Sequence, residues 1–584
     1  MLNKIKYILP VLLIGNLLCM MDVSIMTIVL PEIQTAFNES LTNLSWALNV
    51  YTIVFASFII PFGRLAEKIG RNKFVFAGLI IFAAGSLLSG MAPTLSFMLV
   101  ARGIQSLGAA IIIPTSMVIG LEISNQQNRN KIVAALAGVQ GLAVALGPSI
   151  GGLVAQYWGW RWVFFINVPL IILDLIIFPA VLPLKNESTQ SAPVDWGGAF
   201  LSITMLFSLS LGLIKGNAWG WHSPIILSLF AASFVSFIGF ILLERHLKLP
   251  MINLRLFHSR NFDGASISLV LCNFFLGGMA VLIPTFLTRV HGQSELGAAL
   301  LITPYSVAVM FSVIFTSLLV KKINNKLLIG LGFTLIGTSY YLLATMNLDH
   351  GYQPLILAAI VLGIGYGLVA ATANILAVAD FHGSILTASQ SVANVLRQVG
   401  MVLSIAIFMT VLSSNINSAK KNTLAYGSQQ ITSLHLANSA KEKMSRKLHK
   451  RLNPNSNNIT KVKGSLKFKG IKISKEKQLT LINRAYHRQL ALVAAKENLP
   501  TKLVPQRLKL EISRGVSSQV KQLLVKKVSQ TNHQLKKWIQ HVKNHLKKRL
   551  NVAFLSVYGS LAWLPFVSLL IIPIFKFKSP DTVD

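Results

Sequence analysis

Fourteen apolar stretches long enough to cross a lipid bilayer dominate this chain: thirteen follow one another between Tyr7 and Leu412, and one lies near the C-terminus. Each is about 18–25 residues long, the length that a helix needs to span roughly 30 Å of hydrocarbon. Hydrophobic residues make up 53% of the sequence and charged residues only 12%. The sequence therefore predicts an all-α polytopic membrane protein, with helices over residues 7–30, 44–63, 74–92, 95–121, 132–156, 160–183, 197–215, 224–243, 262–288, 298–320, 327–346, 354–378, 391–415 and 552–575.

The sequence carries no pattern of a metalloenzyme, a nucleotide-binding enzyme or a hydrolase. Its two cysteines, Cys19 and Cys272, both lie inside apolar stretches, where a cysteine is usually a small core residue rather than a disulfide partner or a metal ligand. It has no phosphate-binding Gly-Lys-Ser loop, no His/Glu metal cluster and no nucleophile elbow. We therefore expect no catalytic residues, no metal and no cofactor.

The basic residues of the short loops predict the orientation in the membrane. With the N-terminus in the cytoplasm, 18 Lys and Arg residues fall in cytoplasmic segments and only three, Arg161, Lys215 and Arg289, fall in short outer segments. Short cytoplasmic loops are enriched in Lys and Arg. We therefore predict a multi-pass plasma-membrane protein with both termini in the cytoplasm. The Lys- and Asn-rich composition points to a bacterial source.

Residues 416–550 form a strongly basic insert before the last predicted membrane helix. They contain 31 Lys and Arg residues against four Glu, and so contribute +27 of the net charge of +35. The predicted orientation places the insert outside the cell, because long loops are exempt from the rule for basic residues. An outside location argues against nucleic acid as a ligand. Apolar residues recur at helical spacing within 479–493 and 520–550, which predicts a helical hairpin, whereas 416–475 are expected to be mostly disordered.

The function of the insert has two interpretations. A basic amphipathic face is suited to anionic lipid headgroups or to anionic wall polymers. The alternative is a solvated spacer whose charge has no partner.

A charged loop separates the second and third helices. It contains Gly63, Glu67, Lys68, Gly70 and Arg71. Charges packed between two apolar helices are costly unless they pair with one another. The plainer interpretation is a basic cytoplasmic loop with two turn glycines.

Most acidic residues lie in loops, and only Asp22 and Asp174 fall well inside membrane helices. Asp22 lies roughly 15 residues into the first helix, about 22 Å along its axis. Arg102, inside the fourth helix, has to face a cavity or a partner unless it extends to the interface. Because Arg102 enters from the outer side, the two residues can share one depth. We predict that Asp22 is a proton site and Arg102 its electrostatic partner; a purely structural Asp22 is the alternative.

Five other residues are candidates to line a substrate cavity. Asp174 is either a site that recognises a cationic substrate or a polar group satisfied by packing. Trp46, Tyr51, Gln140 and Tyr366 are the remaining candidates, although aromatic residues also form belts at the membrane interface.

The fifth helix carries small residues along one face. The motif residues are Gly138, Gly141, Gly147, Pro148, Gly151 and Gly152. Small residues at this spacing let another helix approach closely, and a proline removes a backbone hydrogen bond and favours a bend. From these residues alone, a general packing face explains the pattern as well as a functional motif does.

Several of these stretches resemble the motifs of the major facilitator superfamily of transporters. The loop Gly63–Lys73 resembles its signature loop, with Glu67 and Lys68 in place of the usual Asp and Arg, and this implies a gating latch on the inner side. Arg102–Ala110 is similar to a pattern that the family implicates in proton coupling. Gly138–Gly152 resembles the motif that distinguishes its drug:proton exchangers.

A segment of the thirteenth helix extends the resemblance to the 14-helix drug:proton antiporter branch of that family. This segment contains Arg397, Gln398 and Gly400. The resemblance covers about residues 1–415 and the last helix, but not the insert.

The resemblance implies a major facilitator fold with 6+2+6 helices and export driven by the proton gradient. Its substrates would be small, amphipathic and often cationic, and they would move by alternating access. Two alternatives stay open: an exporter or flippase of a lipid or cell-envelope precursor, and a surface-interaction protein that acts through the insert. The expected domains are a six-helix bundle (1–190), two extra helices (191–255), helices nine to thirteen (256–415), the insert (416–550), and the last helix with a cytoplasmic tail (551–584).

Overall fold

The structure is a computed structural model that describes residues 2–39, 41–124, 129–185, 187, 189, 195–247, 250–252, 254–320, 322–348, 351–381, 383–434, 436, 438–452 and 473–575. Within these residues it contains helices and turns but no strand. Fourteen segments are helical, long and apolar enough to cross a membrane. The predicted all-α class and the predicted number of membrane helices are therefore confirmed.

The helices before residue 250 are α1 (Leu2–Phe37), α2 (Leu41–Ile69), α3 (Arg71–Met91), α4 (Leu95–Glu122), α5 (Arg129–Trp158), α6 (Trp162–Phe165), α7 (Asn167–Val181), α8 (Trp196–Trp219) and α9 (Pro224–His246). The later helices are α10 (Arg260–Thr285), α11 (Glu295–Leu319), α12 (Asn325–Thr345), α13 (Gln353–Ala379), α14 (Gly383–Thr432), α15 (Asn438–Arg451), α16 (Lys475–Lys496), α17 (Gln506–Leu561) and α18 (Leu564–Val567). Two short 3₁₀ helices, Leu254–His258 and Ser568–Ile574, and one π-helix, Phe286–Val290, complete the described part.

Several helices run past their predicted ends because hydropathy marks only the apolar part of a helix. The first helix, for example, covers Leu2–Phe37 rather than 7–30. The last membrane segment is interrupted instead of continuous: α17 ends at Leu561, and α18 and a 3₁₀ helix follow. Pro565 lies in the first turn of α18 and Pro573 inside the 3₁₀ helix. A proline has no backbone N–H to donate, which favours such breaks.

The chain divides into two compact units. The first comprises Met1–Asn415 and Ala553–Asp584 and contains the membrane helices. The second comprises Ile416–Val552, the region of the basic insert. The finer division of the first unit into two bundles and an extra helix pair stays a prediction.

The second unit has a hydrophobic core of its own. The Trp538 indole donates a hydrogen bond to the Gly427 carbonyl at 3.2 Å, and the rings of Tyr426 and His545 stack with centroids 4.1 Å apart. A second cluster joins α16 to α17 around the turn between them, with Leu490, Ala494 and Val504 buried and Tyr486, Leu508 and Ile512 partly buried. Both stretches predicted to be amphipathic helices, 479–493 and 520–550, are helical, and α16 and α17 contact each other beside the turn between them.

The expectation that residues 416–475 are mostly disordered is wrong for the described part. Residues 416–432 and 438–451 are helical, whereas 453–472 lie outside the described residues. Composition misled the prediction, because mean hydropathy is low here while apolar residues still form a stripe. Met444, Leu448 and Leu452 recur every four residues and are all buried.

Candidate functional site

A buried ion pair joins the first and fourth membrane helices. Asp22 of α1 is 2% exposed and Arg102 of α4 is fully buried. The Arg102 guanidinium donates to the Asp22 carboxylate, to the Gln105 side-chain oxygen at 2.8 Å and to the Ala47 carbonyl at 3.2 Å. Gln105 in turn donates from its amide to Asp22 at 2.9 Å and to Ser86 at 3.2 Å. The two charges therefore neutralise each other inside a fully hydrogen-bonded cluster.

Aromatic rings enclose this cluster. The Tyr51 ring centroid lies 4.6 Å from the Arg102 guanidinium carbon, and the Phe164 centroid lies 5.8 Å from it. Ring faces attract cations, so they add to the stabilisation of the buried guanidinium. The Tyr51 hydroxyl donates to the Cys19 carbonyl at 3.1 Å. Tyr51, predicted as a cavity residue, is thus part of the wall around the ion pair.

The charged loop between α2 and α3 forms a compact network. Glu67 is 5% exposed and accepts hydrogen bonds from Arg64 at 2.6 Å and from Arg71 at 3.4 Å. Arg71 also pairs with Glu122 at the end of α4. Lys68, by contrast, is exposed and takes no part in these ion pairs. The charges therefore pair, and they tie α2 and α3 to α4.

The structure explains why two positions of this loop are glycine. Gly70 has a φ of 108°, a conformation that other residues rarely adopt, and it starts α3. The first free N–H groups of α3, those of Asn72 and Lys73, donate to the Glu187 carboxylate at 2.9 and 3.0 Å. A Cβ at Gly63 would lie 2.4 Å from the Ser391 hydroxyl oxygen, so this glycine lets α2 approach α14.

The small residues of α5 face two helices. Towards α1, a Cβ at Gly147 would lie 1.8 Å from the Ser24 hydroxyl oxygen, and one at Gly151 would lie 2.7 Å from Ile25. Ser24 also donates to the Ala143 carbonyl at 3.2 Å, across from Gly147. The close fit explains why these positions hold glycine.

Towards α11, the same helix forms a second contact. Cβ atoms at Gly138, Gly141 and Gly152 would lie 3.9, 3.0 and 3.4 Å from Val313, Val309 and Leu296. The hydroxyls of Ser149 and Thr303 lie 2.9 Å apart in the same seam. Pro148 lies inside α5, which continues past it.

A second buried arginine, Arg397 of α14, lies at the centre of an amide network. Its guanidinium donates to side-chain oxygens of Gln140 of α5 at 3.0 Å, Asn394 at 3.3 Å and Asn374 of α13. Gln140 then donates to Asn16 of α1 at 3.3 Å. The network thus links α14 to α5 and α1.

The neighbours of Arg397 in the predicted motif differ in their surroundings. A Cβ at Gly400 would lie 2.2 Å from the Val270 carbonyl oxygen, so α14 and α10 are in close contact there. Gln398 is partly buried.

The remaining cavity candidates are spread over the first unit. The Tyr366 hydroxyl donates to Asn273 at 3.3 Å. The Lys215 ammonium lies 3.8 Å from the Trp46 ring centroid, at the contact of α2 with α8. Asp174 is 1% exposed, and neither of its carboxyl oxygens has a hydrogen-bond partner in the described part of the chain. The structure therefore groups Gln140 with Arg397 and Tyr51 with Arg102. Among the contacts of the described residues, none joins Trp46 or Asp174 to either arginine.

Several residues of these clusters escaped the sequence analysis. Glu187 and Glu122 are loop or helix-end carboxylates without a local pattern, so their partners in the charged loop depend on tertiary structure. Asn394 lies three residues before Arg397 and Gln105 three residues after Arg102. This spacing places them on one helix face, which is the signal that could have identified them. Among the described residues, no group of three or more His, Cys, Asp or Glu side chains is placed to hold a metal ion.

Comparison with known proteins identifies the family. The family model described as "Major Facilitator Superfamily" matches residues 12–405, two thirds of the chain. The chain belongs to the Major Facilitator Superfamily. Its buried ion pair, its charged loop and its glycine-lined fifth helix all fall inside the matched region.

Curated relatives of this facilitator include multidrug and antibiotic resistance proteins of bacteria. "Multidrug resistance protein 3" of Bacillus subtilis is 28% identical over 427 residues, which cover 71% of this chain and 81% of the relative. The "Tetracenomycin C resistance and export protein" of Streptomyces glaucescens is 26% identical over 404 residues, 69% of this chain and 75% of the relative. The "Methylenomycin A resistance protein" of Bacillus subtilis is 28% identical over 409 residues, 68% and 86% of the two chains.

Proposed function

We propose that this facilitator exports small amphipathic compounds, cationic ones among them, in exchange for protons. The observation that carries the proposal is the buried Asp22–Arg102 pair, since a carboxylate inside a membrane helix is costly and marks a functional site. The printed names of the relatives, which include multidrug resistance and export, support drug efflux. Alternating access between the two halves supplies the path.

The ion pair suggests how a proton couples to transport. While Asp22 is ionised, it offsets the charge of Arg102 and the cluster is neutral. A proton on Asp22 removes its charge and leaves Arg102 held by Gln105, the Ala47 carbonyl and the Tyr51 ring. The cluster then carries a net positive charge, which disfavours a bound cation nearby. Proton uptake from outside therefore promotes release of a cationic substrate there, and proton loss inside restores the pair.

The charged loop is the proposed latch of the inner gate. Its ion pairs join α2, α3 and α4 through Glu67, Arg71 and Glu122. The close contact of Gly63 with Ser391 adds α14 to this set. Opening the inner side would require these contacts to separate together, so the latch sets the relative stability of the two states.

We propose that this loop lies in the cytoplasm and the basic second unit outside the cell, in the plasma membrane, because this orientation agrees with the basic residues of the short loops. Exposed lysines on α17 give that unit a positive face, among them Lys526, Lys527, Lys536, Lys537, Lys547 and Lys548. We propose anionic lipid headgroups or wall polymers as the partners of this face. The positive face of this unit favours a second candidate function, the export of a lipid or envelope precursor.

The decisive experiment is efflux of a fluorescent lipophilic cation from energised cells. We expect export by the parent to stop when an uncoupler collapses the proton gradient. The Asp22→Asn variant should lose this uncoupler-sensitive export, because it can no longer bind and release the proton. Glu442→Gln is the matched control, since Glu442 is an exposed carboxylate of the second unit. Export that survives in Asp22→Asn contradicts Asp22 as the proton site, and no export by the parent favours the precursor exporter.

A further inference from the structure

Arg397 is a buried positive charge without a counter-charge. It is 9% exposed, and within the described residues no carboxylate lies within ion-pair distance of it. The atoms that accept its hydrogen bonds are neutral amide oxygens of Gln140, Asn374 and Asn394. Its Nε–H has no acceptor in the part of the chain that the structure describes. Burying a charge without an opposite charge is costly, so the site is incomplete as it stands.

The position of Arg397 suits a ligand site. The residue belongs to α14, yet its hydrogen bond to Gln140 reaches α5, which packs along α11 through the glycine seam. Gln140 extends the contact to Asn16 of α1. The guanidinium thus lies where helices from the N-terminal and C-terminal parts of the membrane unit meet. Transporters bind their substrates at such interfaces, near the middle of the membrane.

The described side chains around Arg397 supply hydrogen-bond donors rather than carboxylates. The Tyr366 hydroxyl, which donates to Asn273 at 3.3 Å, contributes to the electrostatic environment of Arg397. A hydroxyl and a guanidinium together can hold one negatively charged oxygen pair. Arginine binds carboxylates with two parallel hydrogen bonds, which makes it selective for this shape. The amide oxygens that now surround Arg397 would repel an anion less than carboxylates would, and their side chains can turn to donate.

We propose that Arg397 binds an acidic group of the exported compound, a carboxylate, so that this transporter takes amphipathic acids and zwitterions in addition to cations. The proposal rests on the export function proposed above. It assigns the two arginines to different roles: Arg102 pairs with Asp22, the proposed proton site, and Arg397 binds the substrate.

The test compares one acid with its neutral ester. The purified full chain in lipid nanodiscs is titrated with a dansylated long-chain fatty acid and with its methyl ester. We expect the parent to bind the acid more tightly than the ester. Arg397→Gln should weaken binding of the acid about tenfold to a hundredfold, the value of a charge-assisted hydrogen bond, and leave the ester unchanged. Arg161→Gln is the control, because it removes a positive charge that lies outside this network and donates to the Ala92 carbonyl.

Two further variants keep the proposal testable if Arg397→Gln does not fold. Asn374→Asp places a carboxylate beside the guanidinium, so it should remove the preference for the acid while keeping the arginine. Arg397→Lys keeps the charge and should keep part of the preference. Equal binding of acid and ester by the parent, or an unchanged preference in Asn374→Asp, overturns the proposal.

The outcome separates this inference from the proposed function. If uncoupler-sensitive export of lipophilic cations is present while acid and ester bind equally, the inference fails and the export function stands. If the parent exports neither the cation nor the acid, the proposed function fails, and the inference fails with it.

Discussion

The two buried arginines of the membrane unit differ in one respect, the presence of a carboxylate. Arg102 has Asp22 as a fixed counter-charge, with Gln105 bridging the pair. Arg397 is also buried and makes several hydrogen bonds, but among the described residues its hydrogen-bond acceptors are all neutral amides. A charge with a titratable partner can switch when a proton arrives, whereas a charge without one can attract an anion from outside the protein. We therefore propose that the same residue type supports two different steps of transport.

The largest expected effect comes from breaking the pair on one side only. Asp22→Asn leaves Arg102 buried without its counter-charge, so we expect the free energy of unfolding to fall by about 3–5 kcal/mol. The measurement is denaturant unfolding of the purified protein in bicelles. The double variant Asp22→Asn/Arg102→Gln removes both charges and should recover most of the loss while staying inactive. A double variant as unstable as the single one would argue against an electrostatic cause.

An intermediate effect is expected at the bridge between the paired charges. Gln105→Leu removes the amide that donates to Asp22 and Ser86 and the oxygen that accepts from Arg102. Hydrogen bonds to charged groups contribute about 1.5–3 kcal/mol, so unfolding should become easier by about that amount. Gln105→Glu offers a matched comparison, because its acid would compete with Asp22 for Arg102. Stability equal to the parent in Gln105→Leu would mean that the pair does not depend on its bridge.

A smaller effect on stability is expected at the unpaired arginine. Arg397→Gln loses hydrogen bonds of a charged group, but it also removes the cost of burying an uncompensated charge, and these two effects offset each other. We therefore expect the free energy of unfolding to change by about 1 kcal/mol or less, measured in the same bicelle assay. A loss as large as that of Asp22→Asn would show that Arg397 has a counter-charge in the folded protein, which would remove the contrast between the two arginines.

The smallest effect is expected for exposed charges of the second unit, which give the baseline. Lys526→Gln and Lys527→Gln change solvated side chains. Their effect on unfolding should stay within about 0.5 kcal/mol, and cation efflux should match the parent. Loss of efflux in these variants would tie the second unit to transport directly.

The sequence predicted what depends on hydropathy and depth, and missed what depends on tertiary partners. The sequence predicts that Asp22 and Arg102 are partners because the position of each along its helix gives its depth in the membrane. The amide partners of Arg397 come from three helices, so only the structure can show that no described carboxylate forms an ion pair with it. Glu187 reaches the start of α3 from a loop more than a hundred residues later in the sequence, and no local pattern announces this contact.

Composition also gave a wrong prediction where the spacing of apolar residues along a helix mattered more than the mean hydropathy of the stretch. Met444 and Leu448 lie in a stretch so rich in lysine that it was expected to be disordered, yet both are buried. A few apolar residues at helical spacing were enough to form a core in the second unit.

The glycine seam between α5 and α11 limits how a compound dissolved in the bilayer can reach the interior. A methyl group added at Gly138, Gly141 or Gly152 would already be in contact with α11, and the Ser149 and Thr303 hydroxyls lie 2.9 Å apart in the same seam. A lipophilic molecule that arrives sideways from a leaflet cannot pass between these two helices in the conformation described here. If the transported compound enters from the bilayer, its entrance therefore lies between another pair of helices, and a bulky side chain introduced there, rather than along this seam, would select compounds by their width.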